Sequence, residues 1–264
     1  MNNVKDKTDY EKEFINKIKK LSVSREIWSV WEDVIISIAC IISSAIDKRR
    51  EHYDERIKEI NYRNERLGSD RVAYEFLELI GKAYESNPDQ DFLGTVYMRL
   101  ELNNHYRGQF FTPYEVSKMM SKFNFSETTK RQIEEKGWIS INDPACGAGA
   151  LLIAAANVMK ELNINYQKDV MFVAQDIDKI VGLMCYIQMS LLGCPGYVVI
   201  GNTITNPIIG TILQPVEQEE QNKRWYTPFY FGKCWNNRRT LEILRNIRND
   251  LKKNNKINDT IRCA

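Results

Sequence analysis

Hydrophobic positions recur at helical spacing through the first hundred residues. Tyr10 to Lys20 sets Phe14, Ile15 and Ile18 on one side with lysines outside, and Ile27 to Ile46 is apolar enough for a core helix. Asp47 to Asn64 mixes acids and bases closely. That pattern fits a solvated helix laced with i,i+4 pairs better than a nucleic-acid surface. Arg71 to Ala83 repeats the amphipathic spacing through Val72, Phe76, Leu79 and Ile80. Asn87-Pro88-Asp89 is a turn, and Asp91 to Leu102 is helical again. Residues 1–105 are therefore expected to form an all-α unit.

The pattern then changes. Trp138 to Ile141 is a short β-prone run, Asp143 to Gly149 a loop, and Leu151 onward a helix rich in Ala, Leu and Met. Val170 to Ala174 reads as a buried strand, followed by a helix to Leu192, the turn Gly193-Cys194-Pro195-Gly196 and a strand over Tyr197 to Ile200. This alternation predicts an α/β fold with a parallel sheet and right-handed crossovers, spanning residues 106–235. No strand is evident between Ile208 and Arg224. Residues 236–258 read as a basic amphipathic helix with a stripe of Leu241, Leu244, Ile247 and Leu251, within a C-terminal segment 236–264.

Composition narrows the classes. A net charge of +2 over 264 residues calls for no nucleic-acid partner through a global field, although Lys and Arg gather after Arg238. The six cysteines show no CxxC pairing and the two histidines lie far apart, so a zinc site is not expected. The polar N-terminus has no signal-peptide pattern, and a reducing cytoplasm with free thiols is expected. The apolar run Val34 to Ile46 is short of the ~20 residues that span a bilayer, so it is read as a buried helix.

The candidate chemistry lies at the strand ends. Ligands of parallel α/β sheets sit outside the carboxyl ends of the strands, and here those ends carry Asp143, Asp176 and Asn202. Gly147 and Gly149 would let the backbone pass close under a ligand. Only the first two glycines of a dinucleotide fingerprint are present, and no Gly-Lys-Ser/Thr follows, which excludes a P-loop. S-adenosylmethionine, which is cationic and lacks phosphates, explains more. Asp143 would take its ammonium end, Asp176 both ribose hydroxyls, Ile177 an adenine face and Asn202 the adenine edge. Upstream, Thr112 is a plausible N-cap and Pro113 a first helical residue for a helix over Tyr114 to Phe123. The adjacent aromatics Phe110 and Phe111 suit either a ligand wall or core.

With these segments the chain resembles the N6-adenine DNA methyltransferases, in particular the modification subunit of type I restriction systems. The resemblance runs from about Val34 to Pro207. It is carried by DFLGTVYMRLELNNHYRGQFFTP from Asp91, NDPACGAGALL from Asn142, AQDID from Ala174 and GNTITNP from Gly201. It implies a helical N-terminal domain followed by a Rossmann-like methyltransferase domain with S-adenosylmethionine as cofactor, and DNA with a possible partner subunit of a restriction-modification system as partners. It implies also that Phe111, Thr112 and Pro113 lie near the methionine part. Asp143, Pro144, Ala145, Cys146, Gly147 and Gly149 belong to the main cofactor loop, Asp176 and Ile177 flank ribose and adenine, and Asn202 stands where the family has Asp.

One implied motif is not found. The family holds its target amine with Asn/Asp-Pro-Pro and stacks the flipped base on the following Tyr or Phe. The nearest match is Asn206-Pro207-Ile208-Ile209, which follows Asn202 too closely to leave room for a further strand and reads as the tail of the preceding motif. Two functions stay open. One is an active enzyme whose base-stacking aromatic lies in Trp225 to Phe231, a segment that otherwise caps the sheet edge. The other is a methyltransferase-derived binding or regulatory subunit acting with a partner protein or DNA. Cofactor binding with weak or no methylation by the isolated chain is expected.

Overall fold

The computed structural model describes residues 9–102, 111–216 and 223–262. Five helices come first: α1 (Tyr10–Leu21), α2 (Ile27–Ile46), α3 (Arg50–Leu67), α4 (Arg71–Ser86) and α5 (Phe92–Arg99). The boundaries of α1, α2 and α4 follow the apolar periodicity closely, whereas α3 begins and ends three residues later than its mixed-charge run. α2 is long and apolar enough by composition to cross a membrane, but it is mostly buried at the centre of the helical layer, against α3, α4 and a helix of the sheet.

α3 is less solvated than its charge pattern implies. The fully buried Asp33 of α2 receives Arg63 at 2.7 Å and Arg66 at 2.9 Å from α3, and also Arg25. Arg56, itself buried, stacks 3.5 Å from the ring of Trp225. The i,i+4 pair Glu59–Arg63 is present at 3.2 Å, so alternation and burial coexist on one helix.

The second region opens with α6 (Tyr114–Asn124) and α7 (Glu127–Lys136). α7 carries almost no apolar periodicity and is set instead by a reciprocal Ser126–Thr129 capping box and Gly137 in the left-handed region at its end. Then follow β1 (Ile139–Asp143), α8 (Ala150–Glu161), the single turn α9 (Tyr166–Asp169), β2 (Val170–Asp176), α10 (Lys179–Leu191) and β3 (Gly196–Ile200). β1, β2 and β3 are parallel neighbours in that order, with Ile141 opposite Phe172 and Ala174 opposite Val198.

The sheet is mixed rather than wholly parallel. β4 (Lys223–Tyr226) runs antiparallel to β3, pairing Tyr226 with Tyr197. Among the described residues between β3 and β4 no crossover helix is present, and a parallel pairing needs such a crossover. The aromatic segment beginning at Trp225 therefore caps the sheet edge. A helical turn over Pro228–Phe231 leads into α11 (Lys233–Arg262).

Side chains alternate across the strands. On one face Val170, Phe172, Ala174 and Val198 join the helices in one continuous core that runs from Phe14 to Trp225. The helical N-terminal region thus shares its core with the sheet. On the other face Met171, Val173, Tyr197, Val199 and Tyr226 pack against Leu213, Tyr230 and Trp235.

Candidate functional site

The loop after β1 is held by backbone bonds. Asp143 Oδ1 accepts from the Ala145 N–H at 3.2 Å, the Cys146 N–H donates to the Gln175 carbonyl at 3.0 Å, and the Gly149 N–H closes a turn on the Cys146 carbonyl at 2.9 Å. Gly147 and Gly149 have φ of +55° and +98°, which disfavour side chains. At Gly149 a Cβ would also lie 2.8 Å from Cys185 Sγ, and at Gly147 it would reach the Phe111 ring at 3.4 Å. The loop is therefore pressed between α10 beneath and Phe111 above.

Asp176, at the end of β2, is bound into the same loop. Its Oδ2 accepts from the Gly147 N–H at 2.8 Å and its Oδ1 from the Asp178 N–H at 2.9 Å. A carboxylate has about four acceptor sites, so capacity remains for ribose hydroxyls. Ile177 beside it is 70% exposed, so its side chain is available to a ligand at this strand end. Asn202, at the end of β3, spends its side-chain oxygen on the Ile204 N–H at 2.9 Å and the Thr205 N–H at 3.3 Å. Thr203 then ties this turn to the β1 loop through the Pro144 carbonyl at 2.6 Å.

A cavity of about 220 Å³ opens at the end of β1. Of the residues expected at the site it gathers Phe111, Thr112, Asp143, Ala145, Cys146 and Gly147, and Asp91, Ser117 and Met120 are among the others in the wall. Gly149, Asp176, Ile177 and Asn202 are not in that wall. Gly149 lies under the loop against Cys185, and the other three stand at the neighbouring strand ends. Pro113 is the N-cap of α6, its carbonyl accepting from the Val116 and Ser117 N–H groups. This corrects the expectation that Thr112 caps and Pro113 is the first helical residue. Thr112 stands one residue outside, free to line the cavity. Gly108, Gln109 and Phe110 lie outside the described residues.

The cavity wall holds two carboxylates and, among the described residues, no Lys, Arg or His. Burial pushes the Asp143 carboxyl above the usual carboxylate range, and the nearby Asp176 adds to the rise. Asp176 is raised as well, by burial first and by Asp178. A positive charge beside Asp143 and Asp176 offsets the cost of ionising them, so these strand ends and the cavity next to them favour a cationic ligand. Among the described residues no cluster of His, Cys, Asp or Glu could hold a metal ion, and Cys40, Cys146, Cys185, Cys194 and Cys234 are free thiols.

Asn206 and Pro207 do not meet this cavity. Pro207 lines a groove of about 340 Å³ on the other face of the sheet with Ser140, Asn142, Pro144 and Thr203. The Asn206 carbonyl accepts from Gln175 Nε2 at 3.1 Å, and its N–H closes the turn on Asn202.

Two residues built into the cavity and its support were not singled out from the sequence. Asp91 caps α5 and lines the cavity, yet an Asp before a helix signals only a helix start. Gln188, fully buried in the middle of α10, donates to Asp91 Oδ1 and to the Ala148 carbonyl, each at 2.8 Å, and accepts from the Leu93 N–H and the Tyr84 hydroxyl. Nothing in its local sequence marks it. It joins the helical layer to the loop through contacts distant in sequence.

Comparison with known proteins adds one assignment. The family model for N-6 DNA methylase matches residues 88–258, well over half of the chain. No curated protein matches. Among solved structures, the chain is similar to a candidate class I S-adenosylmethionine-dependent methyltransferase from Listeria monocytogenes, at 13% identity and a TM-score of 0.41. That alignment covers 82% of this chain and 66% of the other, so the chain spans just under two thirds of that protein's length.

Proposed function

This chain belongs to the N-6 DNA methylase family, and we propose that it binds S-adenosylmethionine, the methyl donor for N6 methylation of adenine in DNA, and does not complete the transfer by itself. The observation that carries the reading is the cavity at the end of β1, with two carboxylates and a glycine loop in its wall and no cationic side chain among the described residues. When bound, this cofactor supplies an electrophilic methyl group on a sulfonium. Its positive charge suits the wall. Gly147 leaves space beneath Phe111, Asp143 faces the amino-acid end, and Asp176 has spare acceptor sites for the ribose.

The dependence on a partner is supported by the placement of Asn206-Pro207. This nearest match to the family's target-binding motif turns into the groove on the far face, and Ile208 and Ile209 follow it where an aromatic would be needed. DNA and a further polypeptide of a restriction-modification or related system are the proposed partners, and the cytoplasm is the proposed compartment. The test pairs a calorimetric titration of S-adenosylmethionine with tritium transfer to adenine-containing duplex DNA. Binding without turnover by the purified chain is expected. Robust turnover would overturn the second half of the proposal.

A further inference from the structure

Asp91 belongs by sequence to the helical region, yet it stands in the wall of the cavity with Asp143. It is 5% exposed. Its Oδ1 accepts from the Gly94 N–H at 3.0 Å and from Gln188 Nε2 at 2.8 Å. Its Oδ2 accepts no hydrogen bond from the described residues. Both donors are neutral, and burial pushes the carboxyl above its usual range. A helix cap on an exposed surface would carry none of this cost.

The surroundings keep the carboxylate in place. Gly94 lies directly under Oδ2, and a Cβ at that position would overlap the carboxylate. Gln188 holds Oδ1 from one side while fixing the Ala148 carbonyl of the cofactor loop with the same amide nitrogen. Asp91 thus lines the cavity with its Oδ1 fixed by Gln188, a buried amide bonded at both ends, and with its Oδ2 accepting no hydrogen bond from the described residues.

We propose that Asp91 is a binding residue for the α-ammonium group of the cofactor, supplying a second carboxylate in the cavity wall alongside Asp143. An ammonium has three donors to place and a sulfonium has none, so an unpartnered acceptor in this wall matches the ammonium. The inference rests on the cofactor reading and extends it to a residue outside the strand-end motifs.

The test compares S-adenosylhomocysteine with its deamino analogue, which keeps every group except the amine, by calorimetric titration of the full chain. Asp91→Asn retains a good helix cap and the shape of the side chain, and a thermal melt verifies that it folds. The wild-type chain is expected to bind the amine-bearing ligand about 10- to 100-fold more tightly than the analogue, and Asp91→Asn to reduce that preference by about 3- to 10-fold while leaving the analogue's affinity within about twofold. An equal loss for both ligands would assign Asp91 a purely structural role and overturn the proposal. So would an unchanged preference for the amine. A wild-type chain that binds neither ligand, nor S-adenosylmethionine, would instead overturn the cofactor reading itself.

Discussion

The Gly147 N–H donates to Asp176 Oδ2 at 2.8 Å, so the glycine loop after β1 and the acid at the end of β2 form one unit. Removing the carboxylate has two effects: it loses a ribose acceptor and frees an N–H that shapes the loop. Asp176→Ala is expected to weaken S-adenosylmethionine binding by about 1.5–3 kcal/mol, roughly 10- to 150-fold in Kd. Asp176→Asn, which keeps an acceptor for Gly147, should lose less. Titration calorimetry on the three proteins measures the difference.

Gly149 and Gly137 both have positive φ, but their surroundings differ. A Cβ at Gly137 meets nothing within 4 Å, whereas at Gly149 it meets Cys185 Sγ at 2.8 Å. Gly137→Ala is expected to cost about 1–2 kcal/mol from backbone conformation alone, and Gly149→Ala about 2–4 kcal/mol because packing strain is added. Urea denaturation of both variants tests the order. Equal losses would mean that the contact with α10 is not tight.

Asp33 is fully buried under Arg25, Arg63 and Arg66. Burial alone would raise its carboxyl, but hydrogen bonds from the three guanidinium groups outweigh this and hold it below its usual range. Asp33→Ala leaves those cations without their shared acceptor and is expected to destabilise by about 3–5 kcal/mol. Because the depressed carboxyl stabilises the fold above its unfolded value, that contribution is lost as pH falls through the folded value. Acid unfolding of the wild-type protein should therefore be steeper than that of the variant.

The acids at the ends of β1 and β2 behave in the opposite sense. Asp143 and Asp176 are both raised, so their contribution to the stability of the free chain is complete below the ordinary carboxylate value of about 4 and is lost as pH rises through their folded values. A cationic ligand favours the ionised forms. S-adenosylmethionine affinity is expected to increase with pH across that same window, with protons released on binding. Titrations in two buffers of different ionisation enthalpy measure the protons, and Asp143→Asn should release fewer.

What was legible in the chain followed from local rules. The amphipathic spacing of α1, α2 and α4 marked the helices, and the strand-loop-helix pattern around Asp143 marked the loop that now forms one wall of the cavity. What was not legible depends on partners far away in sequence. Asn202 reads as a ligand contact, yet its side-chain oxygen is used by the Ile204 and Thr205 N–H groups of its own turn. Asp91 reads only as the start of a helical stretch, because the cavity beside it exists only once α5 packs near the β1 loop. β4 escaped notice because Lys223 and Arg224 carry no apolar alternation, and Arg224 is buried only through its place beside β3.

Isothermal titration of the purified chain with S-adenosylmethionine, with Asp143→Ala as the paired control, decides whether the cavity at the end of β1 is the cofactor site. Saturable one-site binding by the wild-type chain is expected, weakened at least about tenfold in Asp143→Ala. No detectable heat, together with no rise in melting temperature at millimolar cofactor, would overturn the assignment.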